Sequence, residues 1–343
     1  MKILIFRSGA FGDVIVTTPV VRYLHSLGHE IYYVTSERGM EVMKNNPHIH
    51  KLIKHDENVP IDGLADHIDY LKRKNHCDEI VDFSESIEVS LSQHPRGPDY
   101  KLPKQERIAR FNRNFYEFSF EWMWERLEKI EGGIRTGMKG SKESEPLCYK
   151  PELFFDITEL DLARGYLKPM SYNVLIGMSG SGNNKAWPYT TELCEKIVNE
   201  YPNVHIITVG DLKCQIIEPI IEGRITNLSG NIPMRTSMAL TGLVDLVIAP
   251  DTGIIHAAGC YETPKICILG HTTHEMISKH FINSHPIQSD EKLAPCSPCS
   301  FLVYDIKLQC PIHHETGAAL CMGAGVPMDR VFDRFKEVYA KSK

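Results

Sequence analysis

The sequence predicts an α/β fold made of two domains, each a parallel sheet flanked by helices. Three observations carry this. The chain has 343 residues, enough for two sizeable cores. Apolar runs of strand length are followed by a polar or glycine-bearing turn and then a helical pattern at three places: after Arg7, after Gly177 and after Pro250. From Tyr172 to Leu269, strand and helix patterns alternate, as in a parallel sheet.

The first domain is expected over residues 1–168. It opens β–α–β: a strand at Lys2–Arg7, the turn Ser8-Gly9-Ala10-Phe11-Gly12-Asp13, a helical stretch Val14–Leu27 and a strand Ile31–Thr35. Pro19 either kinks that helix or starts its main run. Another strand lies near Glu79–Phe83. Gly9-x-x-Gly12 is not the full dinucleotide fingerprint, so this turn is a weak signal for such a cofactor. Asp13 carries more weight. A carboxylate at the carboxyl edge of a first strand points into the crevice where open α/β sheets bind ligands, although a helix N-cap uses the same residue type.

The segment from Arg96 to Arg113 holds six basic residues: Arg96, Lys101, Lys104, Arg107, Arg110 and Arg113. A solvated helix face accounts for them. The sharper reading makes Arg96, Arg107 and Arg110 an acceptor surface for an anionic glycan or lipid. Phe111, Phe115, Phe118 and Trp122 then recur at helical spacing as a core stripe, while Phe120 and Trp124 fall off it and are expected to line a groove. Residues 131–151 read as a loop leading to the linker.

The second domain is expected over residues 169–343, with strands at Asn173–Gly177, Val204–Gly210, Val244–Ala249 and Lys265–Leu269 and a last helix from Met328 to about Ala340 that packs back on the first domain. The loop after the first of these strands is rich in Gly, Ser and Asn. It includes Ser179 and ends in Lys185-Ala186-Trp187-Pro188; the lysine suits a diphosphate as a point charge. After the third strand comes Asp251-Thr252-Gly253-Ile254-Ile255-His256. A helix start of this kind attracts phosphate. Thr252 adds a hydroxyl, Gly253 permits close backbone approach, and His256 lies one turn in. The competing reading is a buried turn with Asp251 as N-cap. Gly210-Asp211 ends another strand and is a candidate for ribose or base contact.

Cys296-x-x-Cys299, Cys310 and Cys321 lie in an irregular Cys-rich loop, 291–325. A loop this long needs something to hold it. Four thiolates make a tetrahedral site for Zn²⁺ or iron, with His313 or His314 as substitutes for one cysteine. Reduced thiols or a labile disulfide would satisfy the same spacing. The other six cysteines are scattered and read as small apolar residues.

Taken together in this order, Gly12-Asp13 with Thr18-Pro19, the loop Gly177–Pro188 with Lys-x-Trp-Pro, and Asp251-Thr252-Gly253-x-x-His256 resemble glycosyltransferase family 9, the heptosyltransferases of bacterial surface glycans. The resemblance runs from Met1 to about Phe335 and is poor over residues 55–150. It implies the GT-B fold, two Rossmann-like domains facing across a cleft, with a nucleotide sugar, most often ADP-heptose, as donor substrate. It implies Asp13 as general base, Lys185 on the donor's phosphates or sugar, Asp251 on sugar hydroxyls, and Thr252, Gly253 and His256 at the nucleotide diphosphate. It implies inversion at the anomeric carbon. Ile254 stands where the family often has proline. Some members, acting on autotransporter proteins, carry a four-cysteine iron finger at this place and form large rings, so an oligomer is an expectation too.

The net charge of −6 argues against a general nucleic-acid binder. No apolar run reaches membrane-spanning length, and the first residues lack a signal peptide, so a cytoplasmic protein is expected. The acceptor is left open among a glycan, a lipid core, with peripheral membrane contact, and a protein hydroxyl. No Asp-x-Asp occurs anywhere, which suits transfer without a catalytic metal. Two further readings are an NAD(P)-dependent oxidoreductase, which wants the missing glycine fingerprint, and a non-catalytic glycan- or nucleotide-binding protein of the same fold.

Overall fold

A computed structural model describes residues 1–93, 102–127, 147–178, 180, 182–301, 303 and 306–342. The chain forms two compact units, residues 1–90 with 114–154, and residues 91–113 with 155–343. The basic segment therefore groups with the second unit.

The first unit holds a parallel sheet of order β3-β2-β1-β4. Its strands are β1 (Lys2–Phe6), β2 (Glu30–Thr35), β3 (Lys51–Lys54) and β4 (Glu79–Asp82). β1 is central and covered on both faces, so it reads as a continuous apolar run. β3 was not expected from sequence: its Lys-Leu-Ile-Lys is a short edge strand with exposed ends, too brief to show a period. The single helix expected over Val14–Leu27 is two, Phe11–Ile15 and Thr18–Ser26. Pro19 sits at the start of the second, where its missing N–H costs nothing. The aromatic stripe also divides. Phe111 ends the helix Lys104–Phe111, and the helix Phe115–Leu127 belongs to the other unit. Phe120 lines no groove; it is buried edge-on against Tyr23 and Tyr149.

The second unit holds a parallel sheet of order β10-β9-β8-β5-β6-β7. Its strands are β5 (Tyr172–Gly177), β6 (Val204–Val209), β7 (Ile225–Asn227), β8 (Leu246–Pro250), β9 (Lys265–Leu269) and β10 (Ser284–Gln288). The two edge strands, β7 and β10, escaped the sequence reading. β10 carries Pro286, which only an edge tolerates. The last helix, Met328–Lys341, sends Val331, Phe332, Phe335, Val338 and Tyr339 into the core of this second sheet. Its apolar face is spent there, as Tyr339 rests on Tyr172 and Tyr201.

In each sheet the chain reverses its winding direction beside the first strand, between β1 and β4 and between β5 and β8. Loops leaving the carboxyl ends of such strands splay apart and leave room for a ligand. Asp13 follows β1; Lys185 and Asp251 follow β5 and β8.

Candidate functional site

In the first unit the chain leaves β1 through Arg7, Ser8 and Gly9. Gly9 has φ +117°, in the left-handed region, and a Cβ there would stand 3.2 Å from Asp13 Oδ2 and 3.8 Å from Glu88 Oε1. Glycine thus lets two carboxylates converge on one turn. Asp13 Oδ2 accepts the Ala10 N–H at 3.0 Å, so one oxygen does perform the capping role. Asp13 Oδ1 lies 3.7 Å from Arg7 Nη2, and the Asp13 side chain is 28% exposed against 1% for Arg7. The Arg7 guanidinium donates to the Phe83 carbonyl at 2.7 Å and to both Glu88 oxygens at 2.7 Å. Burial works against this cation, but Glu88 and then Asp13 outweigh it and raise its pKa.

In the second unit Asp251 is buried, with 6% of its side chain exposed. Lys185 Nζ lies 3.4 Å from Oδ2, His256 Nε2 3.6 Å from Oδ1 and His271 Nε2 3.7 Å from Oδ2. Thr272 Oγ1 donates to Oδ2 at 3.3 Å. Burial pushes the Asp251 carboxyl up, yet Lys185, the bond with His256 and the His271 ring together hold it far below the usual carboxylate range. His271 is pushed down to about 4, first by burial and then by Lys185. Thr252 begins the helix Gly253–Gly259 in extended backbone, and its buried Oγ1 has no partner among the described residues. Ile254 packs over Gly177, where a Cβ would clash with Ala249 at 2.9 Å. Gly180 crosses Thr252 and Lys185 just as closely. Trp187 is an anchor: its indole N–H donates to the Val326 carbonyl at 2.8 Å and holds the loop that delivers Lys185.

Other expected residues fall elsewhere. Asp211 caps the turn after β6, accepting the Lys213 and Cys214 N–H groups at 3.0 and 3.2 Å. Ser179 and Arg96 lie outside the described residues, as does Lys101. Arg107 donates to the Leu102 carbonyl at 2.9 Å and the Cys296 carbonyl at 3.2 Å, and Lys104 pairs with Glu291 at 2.7 Å. Arg110 is exposed over the Phe111 ring.

Cys296, Cys299, Cys310 and Cys321 line one cavity of about 20 Å³ together with His271 and Leu320. All four are free thiols. Burial raises each of them, Cys299 to about 12 and Cys310 to about 11. Among the described residues no three His, Cys, Asp or Glu side chains stand in an arrangement ready to hold a metal ion. Backbone bonds tie the loop to its surroundings: Cys299 and Ser300 N–H donate to the His271 carbonyl, and Gln93 Nε2 donates to the Cys299 carbonyl at 2.6 Å.

The sequence reading missed His271, Thr272, Arg7 and Glu88. The first two follow β9 directly, and a polar triplet after an apolar strand was the available signal. Arg7 and Glu88 meet only because β1 and β4 are neighbours, and nothing local announces that pair. Among the described residues no helix is long and apolar enough to cross a membrane.

Comparison with known proteins bears on this geometry. Residues 155–299 match glycosyltransferase family 9 (heptosyltransferase). Lipopolysaccharide heptosyltransferase 1 of Campylobacter coli is 26% identical over 294 residues, which is 79% of this chain and 84% of the relative. The structure of E. coli ADP-heptose LPS heptosyltransferase II is similar with a TM-score of 0.65 at 13% identity, covering 100% of this chain and 99% of the other. The iron-containing dodecameric glycosyltransferase TibC from enterotoxigenic E. coli is similar with a TM-score of 0.60 at 12% identity, covering 100% of this chain and 77% of the other. The fold is accordingly GT-B, with two Rossmann-like domains. Matched segment, relative and motifs agree: the chain is a glycosyltransferase related to family 9, the heptosyltransferase family.

Proposed function

We propose that the protein transfers a heptosyl group from ADP-heptose to a hydroxyl of a bacterial surface glycan, lipid core or protein, with inversion and without a catalytic metal ion. The observation that carries this is the buried Asp251 ringed by Lys185, His256, His271 and Thr272 beside the Thr252 hydroxyl, which has no partner among the described residues. A fixed carboxylate suits sugar hydroxyls as a hydrogen-bond acceptor, and the lysine and N–H groups beside it suit a diphosphate. The acceptor hydroxyl gives its proton to Asp13, its oxygen forms a bond to the anomeric carbon, and the bond to the diphosphate breaks with its electron pair leaving on ADP. Lys185 and the N–H groups near Gly253 take up the charge developing on that leaving group. Asp211 is kept as a residue near the ribose or base, and Arg110 as the residue that meets an anionic acceptor.

The four cysteines form the second part of the proposal. Cys296, Cys299, Cys310 and Cys321 hold one structural Zn²⁺ or iron ion, in a cytoplasmic protein whose thiols stay reduced. The four cysteines line one cavity of about 20 Å³, and a set of four sulfur donors suits such an ion. Bound, it would supply cross-linking and no chemistry, since four protein ligands leave no open position.

The test is ADP release from ADP-heptose and other nucleotide sugars, with and without chelator in the assay. The expected result is turnover with ADP-heptose that excess EDTA leaves unchanged over the assay. Turnover that requires added Mg²⁺, or another sugar nucleotide used faster, overturns the corresponding part.

A further inference from the structure

We propose that Glu88 is a positioning residue for the transfer: by accepting two hydrogen bonds from the buried Arg7 guanidinium through both of its oxygens it shields Asp13 from that cation, so that the acceptor's proton goes to Asp13. The inference rests on Asp13 as the base.

The distances decide how Arg7 divides its charge. Glu88 is bound through both oxygens at 2.7 Å, whereas Asp13 stands back at 3.7 Å. Arg7 is 1% exposed, so water does little to screen it. Facing Asp13 alone, such a cation would favour the ionised carboxylate and weaken it as a base. Glu88 cancels most of that field and adds a like charge of its own beside Asp13. Gly9 is what brings the two carboxylates together, because both stand within 4 Å of where its Cβ would be.

The two acids are therefore unequal. Burial acts to raise the Glu88 carboxyl, but the Arg7 charge and then the contact with Asp13 outweigh it and leave Glu88 below its ordinary value. Glu88, bound twice by Arg7, is the member held ionised, and Asp13, set back at 3.7 Å, is the member to which the proposal assigns the acceptor's proton. Among the described residues, charged groups on the neighbouring elements have partners of their own. Tyr33 on β2 meets Thr17 at 2.7 Å and is pushed up by burial, so it stays neutral. Asp82 at the end of β4 and Glu85 after it act on Arg126 of the helix Phe115–Leu127. Glu37 after β2 pairs with Lys54, and its N–H is taken by Glu57; burial lowers His55 after β3.

The test compares pH profiles of kcat/KM in the full-length enzyme, with ADP affinity measured alongside. In Glu88→Gln, Arg7 is left to Asp13 alone. The acid limb should move to lower pH by on the order of one unit, and kcat at neutral pH should fall about tenfold, with ADP affinity unchanged. In Arg7→Met/Glu88→Gln both charges are gone, and the limb and kcat should both return toward their wild-type values. A limb that does not move in Glu88→Gln, or moves equally in the double variant, overturns the inference, since lost packing alone would give that result. Should Glu88→Gln fail to fold, Glu88→Asp keeps the charge and should keep the limb; a displaced limb there overturns it too. Asp13→Asn separates the two readings. Wild-type turnover in that variant removes the base itself, whereas an inactive Asp13→Asn beside an unmoved Glu88→Gln limb removes only the role of Glu88.

Discussion

Asp251 and Asp13 both follow a central strand at a reversal in sheet order, Asp251 directly after β8 and Asp13 in the first helix after β1, yet their surroundings differ in the sense that matters for chemistry. Asp251 is almost wholly enclosed, with a lysine and two histidines within 3.7 Å. Asp13 is 28% exposed, and the Arg7 cation beside it is engaged by another acid. A carboxylate held ionised by several partners cannot take up a proton near neutral pH, but it makes a rigid acceptor for substrate hydroxyls. A carboxylate whose cation is neutralised keeps its basicity. The contrast teaches that position at a strand end does not set a residue's role; the number of charges left facing it does.

The largest break in this contrast comes at Asp251. Asp251→Ala leaves Lys185 beside a buried, unbalanced site and should cost about 3 kcal/mol of stability, the low end for breaking a buried pair because Lys185 is 25% exposed. Asp13→Ala should cost about 1 kcal/mol or less, as for a partly exposed cap. Urea denaturation of the two variants checks this; equal losses would erase the distinction.

Next comes the cysteine loop, which reaches Asp251 through the His271 carbonyl. Cys299→Ser should lose metal by elemental analysis and lower Tm by about 5 °C, with activity falling only as the fold does. Full Tm with the metal absent from wild-type protein would leave the loop held by packing alone.

Lys185→Ala should weaken ADP by about tenfold and adenosine hardly at all, because the lost interaction is with phosphate charge. Calorimetry showing equal losses for both ligands contradicts the assignment.

The smallest effect is a pH dependence at His271. Its folded pKa is pushed down to about 4, below the ordinary histidine value of about 6.5. The unfolded chain therefore binds a proton there before the folded one does. Stability falls as pH drops from about 6.5 to about 4, then levels off below that. His271→Gln should flatten this window in a denaturation series; an unchanged slope means another group is responsible.

How much of this was legible in the sequence follows from burial and chain distance. β1, β5, β8 and β9 lie inside their sheets and are buried on both faces, so their apolar runs stood out. β3, β7 and β10 are short edges with half-exposed residues and carry no such run. Asp13, Lys185 and Asp251 were visible because each closely follows an apolar strand. The Arg7–Glu88 pair spans 81 residues and the Gln93–Cys299 bond 206, distances at which no local pattern speaks. Arg107 shows the same limit: it read as an acceptor contact by its charge, but its guanidinium is engaged by carbonyls of Leu102 and Cys296.

The measurement that tests the central claim most directly is single-turnover transfer at saturating ADP-heptose by Asp13→Asn and Asp251→Asn, with donor affinity determined for each. Asp13→Asn should bind ADP-heptose as the wild type does and transfer more slowly by roughly 10²–10⁴, the range for loss of a general base. Asp251→Asn should show its main loss in donor affinity. Normal transfer by Asp13→Asn, or a rate defect at saturating donor confined to Asp251→Asn, would contradict the account.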